Sequence, residues 1–372
     1  MDEYARHRRI WAVLQVLARP WLPRRFRLES DRIDVEGPIL LISNHVTAWD
    51  PLLAAMSLPK KQIYYVASEH ILRRGFTASL LRWMVAPIPL RKGGADLTAV
   101  KQSLKHLRAG HSVCIFAEGE QSWDGRTIPV VRGTGSLARA SGATLVTFRF
   151  EGGYLTLPRW GRGLRRGKMR GRLVGVYPPE KLQTMTADEI NDAIDRDIRE
   201  DAMARQTAEP VQYRGKYPAE HLETLLYLCP NCRRVGTLHS RGDTLSCDCG
   251  LSVRMTDVGF FEPQTPFAHP AAWEDWQRAA IKELQPDETG LYFRDGGMTL
   301  LRVERDHSRR ELGRGDLARY ADRLECAGHT FELAEIREMA MTQRDTLLLT
   351  ANDGYYQIRC DGTANLRKYL AL

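Results

Sequence analysis

The sequence predicts an α/β protein: a mixed sheet flanked by helices, followed by a cysteine-bearing ribbon and a small antiparallel β module. Three observations lead there. Apolar strand-like runs alternate with helical runs between about residues 38 and 150. Two cysteine pairs then crowd into residues 229–249. After residue 290, short alternating runs are separated by Asp-Gly, Gly-Arg-Gly and Asn-Asp-Gly turns. At roughly 100–200 residues per domain, 372 residues admit two or three domains.

The elements follow in order. Residues 1–29 hold an amphipathic helix, with Ile10, Trp11, Val13, Leu14, Val16, Leu17 and Trp21 flanked by arginines. Such a helix either lies in a membrane interface or packs on its own domain. Ile39–Ile42 reads as a buried strand, and Asp50-Pro51 opens a helix with Asp50 as N-cap. Strands are expected at Gln62–Ala67, Val113–Phe116 and Thr144–Phe150, with an extended run at Pro87–Leu90. Helices are expected at Phe76–Met84, Asp96–Ala109 and Thr134–Ala140. Leu173–Val176 adds an edge strand, and one polar helix spans Ala187–Arg205, closing a domain at 30–205. A linker at 206–224 leads to a ribbon at 225–260. A helix over 269–284, the β module and a closing helix at Ala364–Leu370 fill 261–372.

Composition narrows the function. Hydrophobic residues make up 43% and charged residues 27%, which excludes a disordered or fibrous chain. No run approaches the roughly 20 apolar residues of a spanning helix. The net charge of +8 fits an anionic partner: phosphate, a membrane surface or nucleic acid. From Glu151 to Glu180 no acid intervenes, while Arg159, Arg162, Arg165, Arg166, Lys168, Arg170 and Arg172 do. That run reads as a solvated basic loop or as a clamp for anionic headgroups or coenzyme A phosphates. No RNA-binding motif accompanies it, so nucleic acid is not expected as a partner. Seven cysteines, an odd number, argue for metal rather than disulfides and for a reducing compartment. With acid where a secretory leader carries base, the cytoplasm is the expected location.

The chemistry concentrates after the first strand. His45 and Asp50 stand five apart in Asn44-His45-Val46-Thr47-Ala48-Trp49-Asp50-Pro51. A histidine at the carboxyl end of a strand can take a proton near neutrality, and an acid one turn on can hold its tautomer. Arg91 follows a Pro-Ile-Pro-Leu run, and Phe116-Ala117-Glu118-Gly119-Glu120-Gln121-Ser122 comes next, before the strand at 144–150. These four blocks, in this order, resemble the glycerolipid acyltransferase family, which includes the lysophosphatidic acid acyltransferases. The resemblance covers about residues 30–205. It implies an acyltransferase-type mixed sheet and a lipid-biosynthetic O-acyltransferase. His45 and Asp50 would be catalytic, and Asn44, Arg91, Glu118, Gly119 and Ser122 would bind substrate. The implied donor is acyl-CoA or acyl carrier protein, and the implied acceptor a glycerol phosphate or lysophospholipid. The enzyme would work as a peripheral protein on the inner face of the membrane. Ala117 and Gln121 depart from the family's proline and arginine; Gln121 removes a bidentate cation from the acceptor pocket. Cys114 lies inside an apolar strand and reads as core rather than nucleophile. The alternative is a non-catalytic lipid- or nucleic-acid-binding protein that keeps the same fold.

Cys229-Pro230-Asn231-Cys232 and Cys247-Asp248-Cys249-Gly250 form two knuckles around a turn at Ser240-Arg241-Gly242-Asp243. They resemble a zinc ribbon, with Cys229, Cys232, Cys247 and Cys249 as four ligands of a closed structural Zn2+ site. Redox chemistry at either pair is the alternative. The final β module resembles, loosely, a pleckstrin-homology fold.

Overall fold

The computed structural model describes residues 3–59, 61–68, 76–90, 97–304, 308–352 and 354–372. They divide into two compact units: Met1–Pro158 with Leu164–Tyr213, and Arg159–Gly163 with Arg214–Leu372.

The first unit opens with helices α1 (Glu3–Ala18) and α2 (Leu22–Phe26). It continues β1 (Leu28–Ser30), β2 (Ile39–Ser43), α3 (Asp50–Ser57), β3 (Ile63–Ser68), α4 (Phe76–Val85), β4 (Ile88–Leu90), α5 (Leu97–Arg108) and β5 (Ser112–Ile115). Then come α6 (Gly133–Ser141), β6 (Thr144–Glu151), α7 (Gly153–Thr156), β7 (Met169–Tyr177), α8 (Pro179–Thr184), α9 (Ala187–Ile198) and α10 (Ala202–Ala208). Among the described residues, seven strands form one sheet in the order β1-β7-β6-β2-β5-β3-β4. Only the β6–β7 pairing is antiparallel. β2 is central and buried at every position, as a continuous apolar run between two covered faces must be. Its residues alternate between two cores: Leu40 and Ile42 pack with α5, α6 and α9, while Ile39 and Leu41 pack with Trp11, Leu22, Phe26 and Leu53.

Four local expectations change. β7 is not an edge: β1 pairs outside it through Leu28–Met169 to Ser30–Gly171. A three-residue strand carries no period to read. The polar helix over 187–205 is two helices, because Arg199 leaves helical backbone and Asp201 caps α10 by accepting from the Met203 and Ala204 amides. Asp50 is the first residue of α3 rather than its N-cap, and its carboxylate turns back over residues 45–47. The basic run over 159–172 is largely taken up by acids from elsewhere in the sequence. In the first unit Lys168 pairs with Glu29 (2.8 Å), Arg170 with Glu209 (3.1 Å) and Arg172 with Asp31 (3.3 Å), while Arg165 is buried. In the second unit Arg162 meets Glu220 (3.4 Å).

α1 packs one face and exposes the other. Trp11 donates to the Lys61 carbonyl, and Gln15 donates to the carbonyls of Ala55 and Leu58. Val13, Val16 and Leu17 are left exposed. At its amino-terminal end, buried His7 meets the Tyr64 hydroxyl (3.2 Å), Tyr4 stacks on His111 (3.9 Å between centroids), and His106 and His111 approach through their Nδ1 atoms (3.4 Å).

The second unit begins with the ribbon sheet: β8 (Leu238–Arg241), β9 (Thr244–Cys247), β10 (Ser252–Met255) and β11 (Phe261–Glu262), all antiparallel. α11 (Pro270–Ala280) buries Trp273, whose indole donates to the Leu228 carbonyl. β12 (Leu291–Val303), β13 (Arg309–Tyr320), β14 (Arg323–Cys326), β15 (His329–Glu332), β16 (Ile336–Thr342), β17 (Thr346–Ala351) and β18 (Gly354–Cys360) form an antiparallel sheet. Its order is β15-β14-β13-β12-β18-β17-β16, with β12 bridging the two halves. The closing helix α12 is shorter than expected, Lys368–Ala371. Lys368 is buried against the Asp295 carboxylate at 2.7 Å. The segment Arg159–Gly163 belongs to this unit: Trp160 is buried, and Arg159 donates to the carbonyls of Met341 and Gln343.

Candidate active site and cysteine cluster

β2, β5 and β6 run parallel, so their carboxyl ends open on the same side of the sheet. The loop after β2 carries Asn44 and His45, and the loop after β5 carries Phe116–Ser122. Asn44 is fully buried and ties the end of β2 to β6. Its Nδ2 donates to the Phe150 carbonyl (2.9 Å), and its Oδ1 accepts from the Phe150 amide (2.7 Å). The carboxamide is therefore engaged with backbone rather than aimed at solvent.

His45 Nδ1 lies 2.9 Å from Asp50 Oδ2. The same carboxylate accepts from the amides of Val46 (2.7 Å) and Thr47 (2.9 Å) and from the Thr47 hydroxyl (2.6 Å). Asp50 has no exposed side-chain surface, while the imidazole keeps 20%. Four donors around one buried carboxylate fix its position. Its contact assigns the ring proton to Nδ1 and leaves Nε2 with a lone pair. The Phe116 ring stacks on the imidazole at 4.5 Å and 26°.

The loop after β5 grips the His45 backbone at both ends. Glu118 Oε1 accepts from the His45 amide at 2.6 Å, and Oε2 accepts from the Ile128 amide at 2.7 Å. Ser122 donates its own amide to the His45 carbonyl (2.9 Å), and its hydroxyl accepts from the Gly125 amide (2.9 Å). Gly119 supplies a turn at φ +77°, which a side chain would strain. Burial pushes the Glu118 carboxyl up to about 8, against the pull of its two amide donors and with the charges of Asp50 and Glu120 adding. Burial raises the Cys114 thiol well above its ordinary range, which fits a core residue.

The structure thus brings together His45, Asp50, Asn44, Glu118, Gly119 and Ser122. Arg91 lies outside the described residues. Thr47 escaped sequence reasoning, although a hydroxyl between the histidine and the acid was the available signal.

In the second unit, one sulfur from each of Cys229, Cys232, Cys247 and Cys249 lies within 4.8 Å of the others. Cys229 and Cys249 are 3.6 Å apart, and Cys232 and Cys247 are 3.8 Å apart. Disulfide sulfurs sit at about 2.05 Å. A tetrahedron of metal–sulfur bonds of about 2.3 Å has edges of about 3.8 Å, so the four sulfurs lie close enough together to hold a metal ion such as zinc.

Residues 25–151 match the family model described as Acyltransferase. The chain is also similar in structure to the 1-acyl-sn-glycerophosphate (LPA) acyltransferase PlsC from Thermotoga maritima, with 16% identity and a TM-score of 0.42. That match covers 51% of this chain and 77% of that one. The family match spans the loop that holds His45 and Asp50 and the loop that holds Glu118, so over residues 25–151 the chain is similar to the acyltransferase family.

Proposed function

We propose that the protein is a peripheral membrane O-acyltransferase. It moves a fatty acyl group from acyl-CoA or acyl carrier protein to a hydroxyl of a glycerol phosphate or lysophospholipid. The observation that carries this reading is the His45–Asp50 pair, with Nε2 free to accept a proton at the open end of the parallel strands. His45 Nε2 takes the proton of the acceptor hydroxyl as its oxygen attacks the thioester carbonyl carbon. The tetrahedral adduct then collapses, the C–S bond breaks, and the thiolate leaves with the proton from the imidazolium. Asp50 holds the tautomer and balances the imidazolium charge. By resemblance Arg91 contacts the acceptor phosphate, and Gln121 contributes a neutral hydrogen-bonding group where the family has a cation.

Work at a membrane surface is supported by an apolar face near this loop. Trp49, in the His45 loop, is exposed and lies 6.1 Å from exposed Trp21, close to Leu52 on α3. Among the described residues no helix is long and apolar enough to cross a membrane. In the second unit the four cysteines would hold a zinc ion whose contribution is structural: four thiolates leave no open position for chemistry.

The test is acyl transfer from acyl-CoA and from acyl carrier protein to a panel of glycerol phosphate and lysophospholipid acceptors. The wild type should form product, and His45→Ala should lower kcat at least a hundredfold. Equal rates in both proteins would remove His45 from the mechanism, and no product with any acceptor would favour a binding scaffold.

A further inference from the structure

We propose that Glu118 is a positioning residue for the base, acting through the His45 backbone rather than by contacting the acceptor. This rests on the acyl-transfer reading above. The carboxylate is 5% exposed, and each oxygen already accepts a backbone amide, one from His45 and one from Ile128. The His45 carbonyl is held by the Ser122 amide, four residues after Glu118 in the same loop. The peptide groups on both sides of the base's Cα are therefore fixed by one loop. Asp50 fixes the imidazole from the other side, and Phe116 packs on its face. A side chain on a backbone clamped at both ends points in one direction, and misplacement by about 1 Å is enough to lose on the order of a hundredfold in rate.

A carboxylate bridging two amides has a distinctive chemical requirement. It must present two acceptors, so the two amide donors favour the ionised form against the upward push of burial. A carboxamide of the same shape presents one acceptor and one donor, so Glu118→Gln sets an N–H against one of the amides. Glu118→Asp keeps both acceptors but is one methylene shorter and reaches one amide at a time. If Glu118 instead bonded acceptor hydroxyls, either change would weaken acceptor binding first.

Full-length wild type, Glu118→Gln and Glu118→Asp are compared in kcat, in KM for the acceptor, and in hydrogen exchange at the His45 amide. The clamp predicts that Glu118→Gln lowers kcat ten- to hundredfold with acceptor KM within about twofold, and that His45 exchange accelerates at least tenfold. Glu118→Asp should fall between the two in both readouts. A tenfold rise in acceptor KM at unchanged kcat would overturn the proposal, as would a His45 amide that exchanges as slowly in the variants as in wild type. Should Glu118→Gln fail to fold, the same two readouts on Glu118→Asp decide. The exchange arm needs no turnover. A wild type inactive on every substrate refutes the acyl-transfer reading, whereas unchanged exchange refutes the clamp.

Discussion

At Asp50 the carboxylate serves the loop before its helix rather than the helix itself. It was expected as a helix cap, yet its oxygens face the loop behind it and accept from His45, Val46 and Thr47. Asp50→Asn tests how much of catalysis depends on that. An amide at this position turns an N–H toward one set of donors and disfavours the Nδ1–H tautomer. The expected result is a fall in kcat of roughly a hundred- to ten-thousandfold with little change in KM. A loss below threefold would show that the tautomer is fixed by other means. The spacing of His45 and Asp50 was legible because both are side chains at fixed separation. The roles of Glu118 and Asn44 were not, since their partners are the backbone groups of His45, Ile128 and Phe150, which no residue identity encodes.

Among the elements, α1 carries its own pH dependence. Burial lowers the proton affinity of His7 below the ordinary value near 6.5, with the charge of Arg6 adding and Glu3 opposing. His106 is lowered by burial and then by His111, Lys105 and His7, with Glu3 opposing. Tyr64 and Tyr4 are further titratable side chains that face the cluster. Docking therefore favours neutral imidazoles. The stability they contribute is complete above about pH 6.5 and is lost as pH falls through their lower folded values. Thermal unfolding should show Tm dropping between pH 7 and 5.5, and His106→Phe should flatten that slope; an unchanged slope would place the acid sensitivity elsewhere. The strongly periodic elements were legible from their apolar spacing. β1, the break at 199–201 and the pairing of the basic run were not. A three-residue strand has no period, and Glu29, Asp31 and Glu209 lie far in sequence from the arginines and lysine they neutralise.

For the molecule as a whole, the cysteine cluster is the test of what stabilises the second unit. Metal analysis should find about one zinc per chain. Cys229→Ser should lower that content, and excess chelator should lower the Tm, because metal binding of this kind is linked to folding. Full zinc retention in a Cys229→Ser, Cys247→Ser double variant would refute the site. The short helix α12 shows a different limit of sequence reading: its apolar residues pack whether or not the turn is helical, so only Lys368–Ala371 takes the helical form.

The assignment of Arg159–Gly163 to the second unit has a topological consequence. The polypeptide leaves its first unit at Pro158, returns at Leu164 and leaves again at Arg214, so one cut cannot separate the two. A fragment starting at residue 214 would lack Trp160, which is 1% exposed, and the two bonds Arg159 makes to backbone carbonyls. The ribbon and β module are thus not a cassette that can be appended to a host by end-to-end fusion. Any rearrangement that moves them must also carry five residues from inside the first unit's own stretch of chain.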